Sequence, residues 1–263
     1  MLTSSVRNLE RVVIVTGALR SGTTMLAGDI SELLRIKHEP EATPLSDALK
    51  LVSKWRTGYE KKRFESWIVD DKIPDALADF ALQQFFLMGG GFNEWKLGKC
   101  PELVLVADEI IWLMRRHNLK VVLCIREPLD VCASALDVQK INRFGHSRNF
   151  YLERIWRSFE GVLKLIESEE SSECLKVVRY ESYVENAKFE LASIGKFLNL
   201  PDEYSSEVRF KRTFDTSDPY FTDLLDLPPT DVRVNSFTHR LLEEEQIELA
   251  EMFSGVRLKL GYV

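Results

Sequence analysis

The chain lacks any long apolar run. Nothing in its 263 residues approaches the ~18 consecutive apolar positions of a membrane-crossing helix. Its opening, MLTSSVRNLE, has no apolar core of the kind a secretory leader needs. Basic residues are not in excess either: 35 Lys and Arg stand against 41 Asp and Glu, a net charge of −6. That argues against a surface devoted to a nucleic-acid backbone and leaves room only for a small basic recess holding one anionic ligand. Cysteine is scarce, with Cys100, Cys124, Cys132 and Cys174 forming no Cys-x-x-Cys pair and no zinc-type spacing with histidine. Buried free thiols in a reducing, cytoplasmic setting are the expectation, with a luminal domain trimmed from a longer precursor left open as the alternative. Internal repeats and low-complexity tracts are missing too.

What is present fits an ordinary globular protein, 45% hydrophobic and 29% charged, of a length suited to one large domain or one domain with an inserted lobe. Residues 11–16 (RVVIVT) are short, β-branched and unalternating, as expected of a strand covered on both faces. Residues 23–36 follow with apolar side chains at 25, 26, 30, 33 and 34, a helical stripe. Residues 37–100 are less regular, with breaks at Pro40 and Pro44, amphipathic stretches near 46–56 and 75–88, and Gly89-Gly90-Gly91. They read as a mostly helical insertion at about 40–100 that shapes a substrate site within a single 1–263 domain. Further on, 103–117 reads as a helix and 119–125 (LKVVLCI) as a second buried strand. Helices from about Pro128 and over 148–169, a strand at 174–179, and helices over 185–198 and 241–258 complete the pattern. Strands alternating with helices predict an α/β fold with a parallel sheet, whose ligands lie beyond the carboxyl ends of the strands.

The first strand runs into VVIVTGALRSGTTM, residues 12–25. Backbone N–H groups across 18–23 can wrap an anion, and the following helix adds its positive end. Arg20 brings a permanent charge, and Thr23 and Thr24 bring hydroxyl donors. A plain glycine turn without a ligand is the competing reading. The lysine that a nucleotide triphosphatase places after its second glycine is missing, since Thr23 stands there. Asp130, five residues past its strand, comes too late to be a second magnesium ligand. A triphosphatase or kinase with a degenerate loop is therefore disfavoured. At the second strand end, VVLCIREPLDVCASAL, Arg126 leaves the strand and Ser134 lies eight residues on. The pair can converge on a second anion, or Arg126 can be a surface ion pair with Glu127 or Asp130.

Together these stretches resemble the sulfotransferase superfamily that uses 3′-phosphoadenosine 5′-phosphosulfate. The family's 5′-phosphosulfate loop has its counterpart in Arg20-Ser21-Gly22-Thr23-Thr24. Its 3′-phosphate motif corresponds to Arg126-Glu127-Pro128 with Ser134, a Glu where the family has Asp. Arg179-Tyr180-Glu181-Ser182 is similar to its Arg-Tyr-Glu-Asp step, which implies Tyr180 beside the adenine. The tail RVNSFTHRLLEEEQ resembles its C-terminal nucleotide loop, with Arg233, Asn235 and Ser236 as implied contacts, Asn235 at the usual glycine and Phe237 at the usual tryptophan.

The resemblance implies a three-layer sandwich of the P-loop type, with a central parallel sheet flanked by helices. It implies 3′-phosphoadenosine 5′-phosphosulfate as donor, adenosine 3′,5′-bisphosphate as product, a hydroxyl-bearing acceptor, and no metal. Arg20 would sit beside the phosphosulfate. In the carbohydrate and protein-tyrosine branch the base is a Glu soon after the first helix, which points to Glu39, with Glu41 and His38 as rivals. The cytosolic small-molecule branch uses a His upstream of the second motif, but the comparable stretch here, KCPELVLV, has Lys99 and no histidine. Lys99 resembles a lysine that sits near the transferred group in the glutamate branch. A module that binds the nucleotide without transfer chemistry stays open, and neither the acceptor nor the oligomeric state is written in these motifs.

Overall fold

The computed structural model describes residues 11–36, 41–57, 73–87, 95–141, 145–169, 173–202 and 229–262. Among them four strands form one all-parallel sheet: β1 (Val12–Gly17), β2 (Lys96–Lys99), β3 (Lys120–Ile125) and β4 (Leu175–Arg179), ordered β2-β1-β3-β4. Helix α1 (Thr23–Leu33) follows β1 directly. Helices α2 (Thr43–Thr57) and α3 (Ile73–Leu87) come before β2. A 3₁₀ segment (Pro101–Val106) and α4 (Ala107–His117) then lead to β3. Helices α5 (Pro128–Ile141) and α6 (Arg148–Glu167) lie between β3 and β4. After β4 come α7 (Tyr180–Glu185), α8 (Ala187–Phe197), a 3₁₀ turn (Asp231–Arg233), α9 (Phe237–Arg240), α10 (Glu243–Met252) and α11 (Ser254–Lys259).

Successive strand residues point to opposite faces, and the core divides accordingly. Val12, Ile14, Val121 and Leu123 pack with α2, α4, α5, α6 and the C-terminal helices. Val13, Val15, Val122, Cys124 and Val178 pack with α1, α7 and α8. Helices thus cover both faces, which is why the strands read as unbroken apolar runs. The expected α/β sandwich is the observed one.

Strand β2 departs from expectation, for its residues had been read as the end of an irregular, mostly helical segment. Its sequence, KLGK, has lysine at both ends and a glycine inside, so no apolar pattern marks it. It is held by pairing instead: Val12 to Val15 of β1 align with Lys96 to Lys99, and the Thr16 hydroxyl donates to the Cys100 carbonyl at 2.9 Å. Boundaries differ elsewhere for local reasons. The α1 stripe ends early because Arg35 turns left-handed (φ 56°). The helix expected over 185–198 is α8, started at Ala187 by the Asn186 side chain accepting from the Phe189 N–H, and the short α7 before it was not expected. The C-terminal helix divides at buried Phe253. Gly89-Gly90-Gly91 lies outside the described residues.

Helices α2, α3 and α4 are cross-linked by charge. Arg56 donates to Glu109 on α4 and to Asp75 on α3, and its guanidinium lies 4.6 Å from the Trp112 ring centroid. Burial pushes the Glu109 carboxyl up while Arg56 opposes the rise. Glu109 is buried while Arg56 keeps some contact with water, so removing Arg56 would strand the Glu109 carboxylate.

All four cysteines are unpaired and buried. Burial pushes the Cys100 thiol to about 11 and Cys124 to about 12, and raises Cys132 and Cys174 as well. The thiolate is the nucleophile, so little of it exists at pH 8. Iodoacetamide at pH 8 should leave the native protein essentially unlabelled for minutes, with four adducts by mass spectrometry once denaturant is added.

Candidate active site

The strand register sets the site. Val15 pairs Lys99, Gly17 pairs Cys124 and Ile125 pairs Arg179, so the residues following each strand emerge along one carboxyl edge. Gly17 is required by close approach: a Cβ there would sit 2.3 Å from the Cys124 carbonyl oxygen and 2.7 Å from Ser21 Oγ. Arg20 and Gly22 both adopt positive φ, 69° and 101°, and curl the chain into a concave turn closed by Ser21 N–H donating to the Ala18 carbonyl at 3.0 Å. Gly22 is the N-cap of α1 and offers no side-chain acceptor, which leaves the first-turn N–H groups at Thr23 and Thr24 to face the loop.

Arg20 reaches across to the second motif, its Nε donating to Ser134 Oγ at 3.2 Å. Arg126, 5% exposed, binds back to the first loop and outward to the C-terminal one. One terminal nitrogen donates to the Arg20 carbonyl at 3.4 Å and the other to the Arg233 carbonyl at 2.5 Å. Its guanidinium carbon lies 4.3 Å from the Tyr180 ring centroid. Tyr180 in turn covers Gly22, whose added Cβ would fall 2.6 Å from that ring. Burial raises the Tyr180 hydroxyl pKa while Arg126 opposes the rise. Arg126 is therefore not a surface ion pair. Asp130 lies 3.7 Å away, but both groups are buried.

Arg20, Ser21, Gly22, Thr23, Thr24, Arg126, Ser134, Tyr180, Arg233, Asn235 and Ser236 are thus assembled from four distant stretches of chain. The hydroxyl of Ser236 is engaged inside the protein, donating to Asp130 at 3.0 Å and accepting from Arg240 at 3.1 Å. Lys99 sits at the end of β2, 5% exposed, with its ammonium on Glu41, while the Ala42 N–H donates to the Lys99 carbonyl at 2.8 Å. Glu39 and His38 lie outside the described residues. His146 stacks on Phe150, 4.1 Å between ring centroids, and His239 is exposed on α9.

Several residues that sequence reasoning had left without a role also belong to this edge. Asp130 accepts from the 235–237 loop. Glu127 accepts from Arg257 Nε at 2.8 Å, and Glu181 accepts from the Tyr262 hydroxyl at 2.9 Å and from the Glu127 N–H at 2.9 Å. The available signal was Arg126-x-x-x-Asp130, a spacing that stacks both side chains at the opening turn of α5.

Chemically, the edge carries two guanidiniums, an ammonium and a helix N-terminus, matching an elongated anion with charge at both ends. Ser21 Oγ and Arg126 Nε are buried without a partner among the described residues, and both fit an anionic oxygen. No cluster suited to a metal ion occurs among the described residues.

The model of the Sulfotransferase family matches residues 12–204. The chain belongs to the sulfotransferase family. A likeness of fold extends further. The sulfotransferase domain of the Synechococcus PCC 7002 olefin synthase aligns with a TM-score of 0.61 at 18% identity, over 95% of this chain and 97% of that one. The sulfotransferase domain from the curacin biosynthetic pathway gives 0.58 at 18%, over 95% and 99%. Retinol dehydratase in complex with androsterone and the inactive cofactor PAP gives 0.56 at 15%, over 95% and 81%. No curated protein sequence matches significantly.

The sulfotransferase loop leaves no space at its glycines. Gly22→Ala would set a methyl group into the Tyr180 ring at an unfavourable φ, so about 1–3 kcal/mol of strain or displacement is expected. Urea unfolding should show that loss, and calorimetry should show adenosine 3′,5′-bisphosphate affinity falling at least as far.

Proposed function

We propose that the enzyme transfers a sulfuryl group from 3′-phosphoadenosine 5′-phosphosulfate to an acceptor hydroxyl by in-line displacement, without a metal. The observation that carries this reading is the joint engagement of Arg20 and Arg126 along one strand edge, Arg20 on Ser134 and Arg126 on the Arg20 carbonyl. Two fixed guanidiniums linked in this way suit a ligand with an anion at each end. Arg126 and Ser134 would hold the 3′-phosphate, and the 20–24 loop the 5′-phosphosulfate, with Tyr180 near the base. The neighbour solved with androsterone and PAP supports a hydroxyl-bearing acceptor, a small molecule, carbohydrate or peptide tyrosine.

The donor supplies a sulfuryl group joined to a phosphate that is already a good leaving anion. Arg20 compensates the negative charge that grows on the phosphate oxygen as the sulfur–oxygen bond breaks, which explains why a Walker lysine is dispensable. Lys99 adds a second positive charge at the same edge. A carboxylate takes the acceptor proton as the new oxygen–sulfur bond forms. Glu39 fits that task in the glutamate branch, since Glu41 is engaged by Lys99. The segment at about 40–100, within one 1–263 domain, would shape the acceptor side. Four unpaired thiols support a reducing, cytoplasmic setting.

Arg20→Ala and Arg126→Ala should each weaken bisphosphate binding by about a hundredfold, two charge-assisted hydrogen bonds' worth. Unchanged titrations for both would remove the assignment. Glu39→Gln should bind nucleotide normally and lose turnover against a panel of hydroxyl acceptors. In thermal shift, the bisphosphate should stabilise the protein and ATP with magnesium should not.

A further inference from the structure

Asp130 stands in the opening turn of α5, four residues after Arg126, with no exposed surface. A carboxylate taken wholly out of water needs donors for its lone pairs. It does not find them on its own helix, where the Leu129 N–H donates to Glu127 instead. All three come from the C-terminal loop. The Asn235 N–H donates to Oδ2 at 2.8 Å, and the Ser236 hydroxyl and Phe237 N–H donate to Oδ1 at 3.0 and 2.9 Å.

These bonds set the shape of the loop. Asn235 adopts a left-handed conformation (φ 53°), which asparagine tolerates better than other non-glycine residues and which these bonds hold in place. Two neighbours complete the clasp. Arg126 donates to the Arg233 carbonyl, and Arg240 ties the Ser236 hydroxyl to Asp137 of α5. The loop's N–H groups at 235 and 237 therefore face the protein and not a ligand. Arg233 itself is half-buried, with its backbone carbonyl held by Arg126, so its charged side chain is the loop's available cation.

Charge explains why the anchor is an aspartate. A carboxylate close to a phosphate repels it unless its own charge is met, and here three donors and Arg126 at 3.7 Å meet it. An asparagine of the same shape would lose that charge and give up one of the acceptor oxygens.

We propose that Asp130 is the positioning residue of the 3′-phosphate end of the site, fixing the 233–237 loop so that Arg233 and Arg126 face one anion. The proposal rests on the donor reading above and adds a residue and a task to it. A purely structural role would lower stability without changing which nucleotide is chosen, so the test reads selectivity.

Calorimetry on the full chain compares adenosine 3′,5′-bisphosphate with adenosine 5′-monophosphate, which lacks only the 3′-phosphate. Wild type should prefer the bisphosphate. In Asp130→Asn that preference should fall about tenfold or more, with monophosphate affinity close to wild type. A folded Asp130→Asn that keeps the full preference overturns the proposal. If Asp130→Asn does not fold, Ser236→Ala decides: removing one of three donors should lower the preference about threefold, and an unchanged preference overturns the proposal. Loss of preference in wild type itself would remove the donor reading and this assignment with it, whereas wild-type preference kept in full by a folded variant removes this assignment alone.

Discussion

The guanidinium of Arg126 is almost wholly buried and touches three other segments, at the Arg20 carbonyl, the Arg233 carbonyl and the Tyr180 ring, besides Asp130 of its own. A cation so placed has given up its hydration and must be repaid by fixed neighbours. Because those neighbours come from the loop after β1, the turn after β4 and the C-terminal loop, the same charge that would meet a phosphate also holds the three loops together. The arrangement depends on register. Arg126 follows Ile125, which pairs Arg179, and so the chain after β4 begins its turn beside the guanidinium. Tyr180 then closes over Gly22, and a side chain larger than hydrogen at Gly22 would push the ring off the arginine.

The C-terminal helices are fastened to the same edge by a second set of contacts. Glu127 takes Arg257 of α11, Glu181 takes the Tyr262 hydroxyl, and Arg179 donates to the Leu260 carbonyl while lying 4.3 Å from the Tyr262 ring centroid. Glu127 stands where the family motif has Asp. Its extra methylene lengthens the reach toward Arg257. Burial raises the Glu127 carboxyl pKa and Arg257 opposes that rise.

Much of this was legible in the sequence, for physical reasons that differ from element to element. Strands β1 and β3 declared themselves because helices cover both faces, which makes VVIVT and VVLCI apolar throughout. Gly17 and Gly22 were readable because close approach admits no side chain. Arg126 was read with an open alternative, and only its burial removed the surface ion pair. Strand β2 was not legible, since KLGK owes its conformation to pairing with β1 and not to its own residues. Asp130 and Glu127 were hidden for a related reason. Their partners lie 105 and 130 residues away, from Asp130 to Asn235 and from Glu127 to Arg257, and no local pattern encodes such a meeting. The base is a different case, because Glu39 falls outside the described residues.

The two ends of the edge differ in how firmly their charges are held. Arg126 and Asp130 are buried, so moving either would strand a charge away from water. Lys99 is also buried, but its partner Glu41 is 52% exposed and so is held less firmly than Asp130. Arg20 donates to the Ser134 hydroxyl. An incoming anion can therefore compete with Glu41 for Lys99, because the exposed carboxylate is free to turn to water. The proposed 3′-phosphate end has no such freedom and works as a fixed socket. A rigid socket at one end with a recruitable lysine at the other places the adjustable charge where bonds would break, which is where stabilisation that grows during the reaction has its effect.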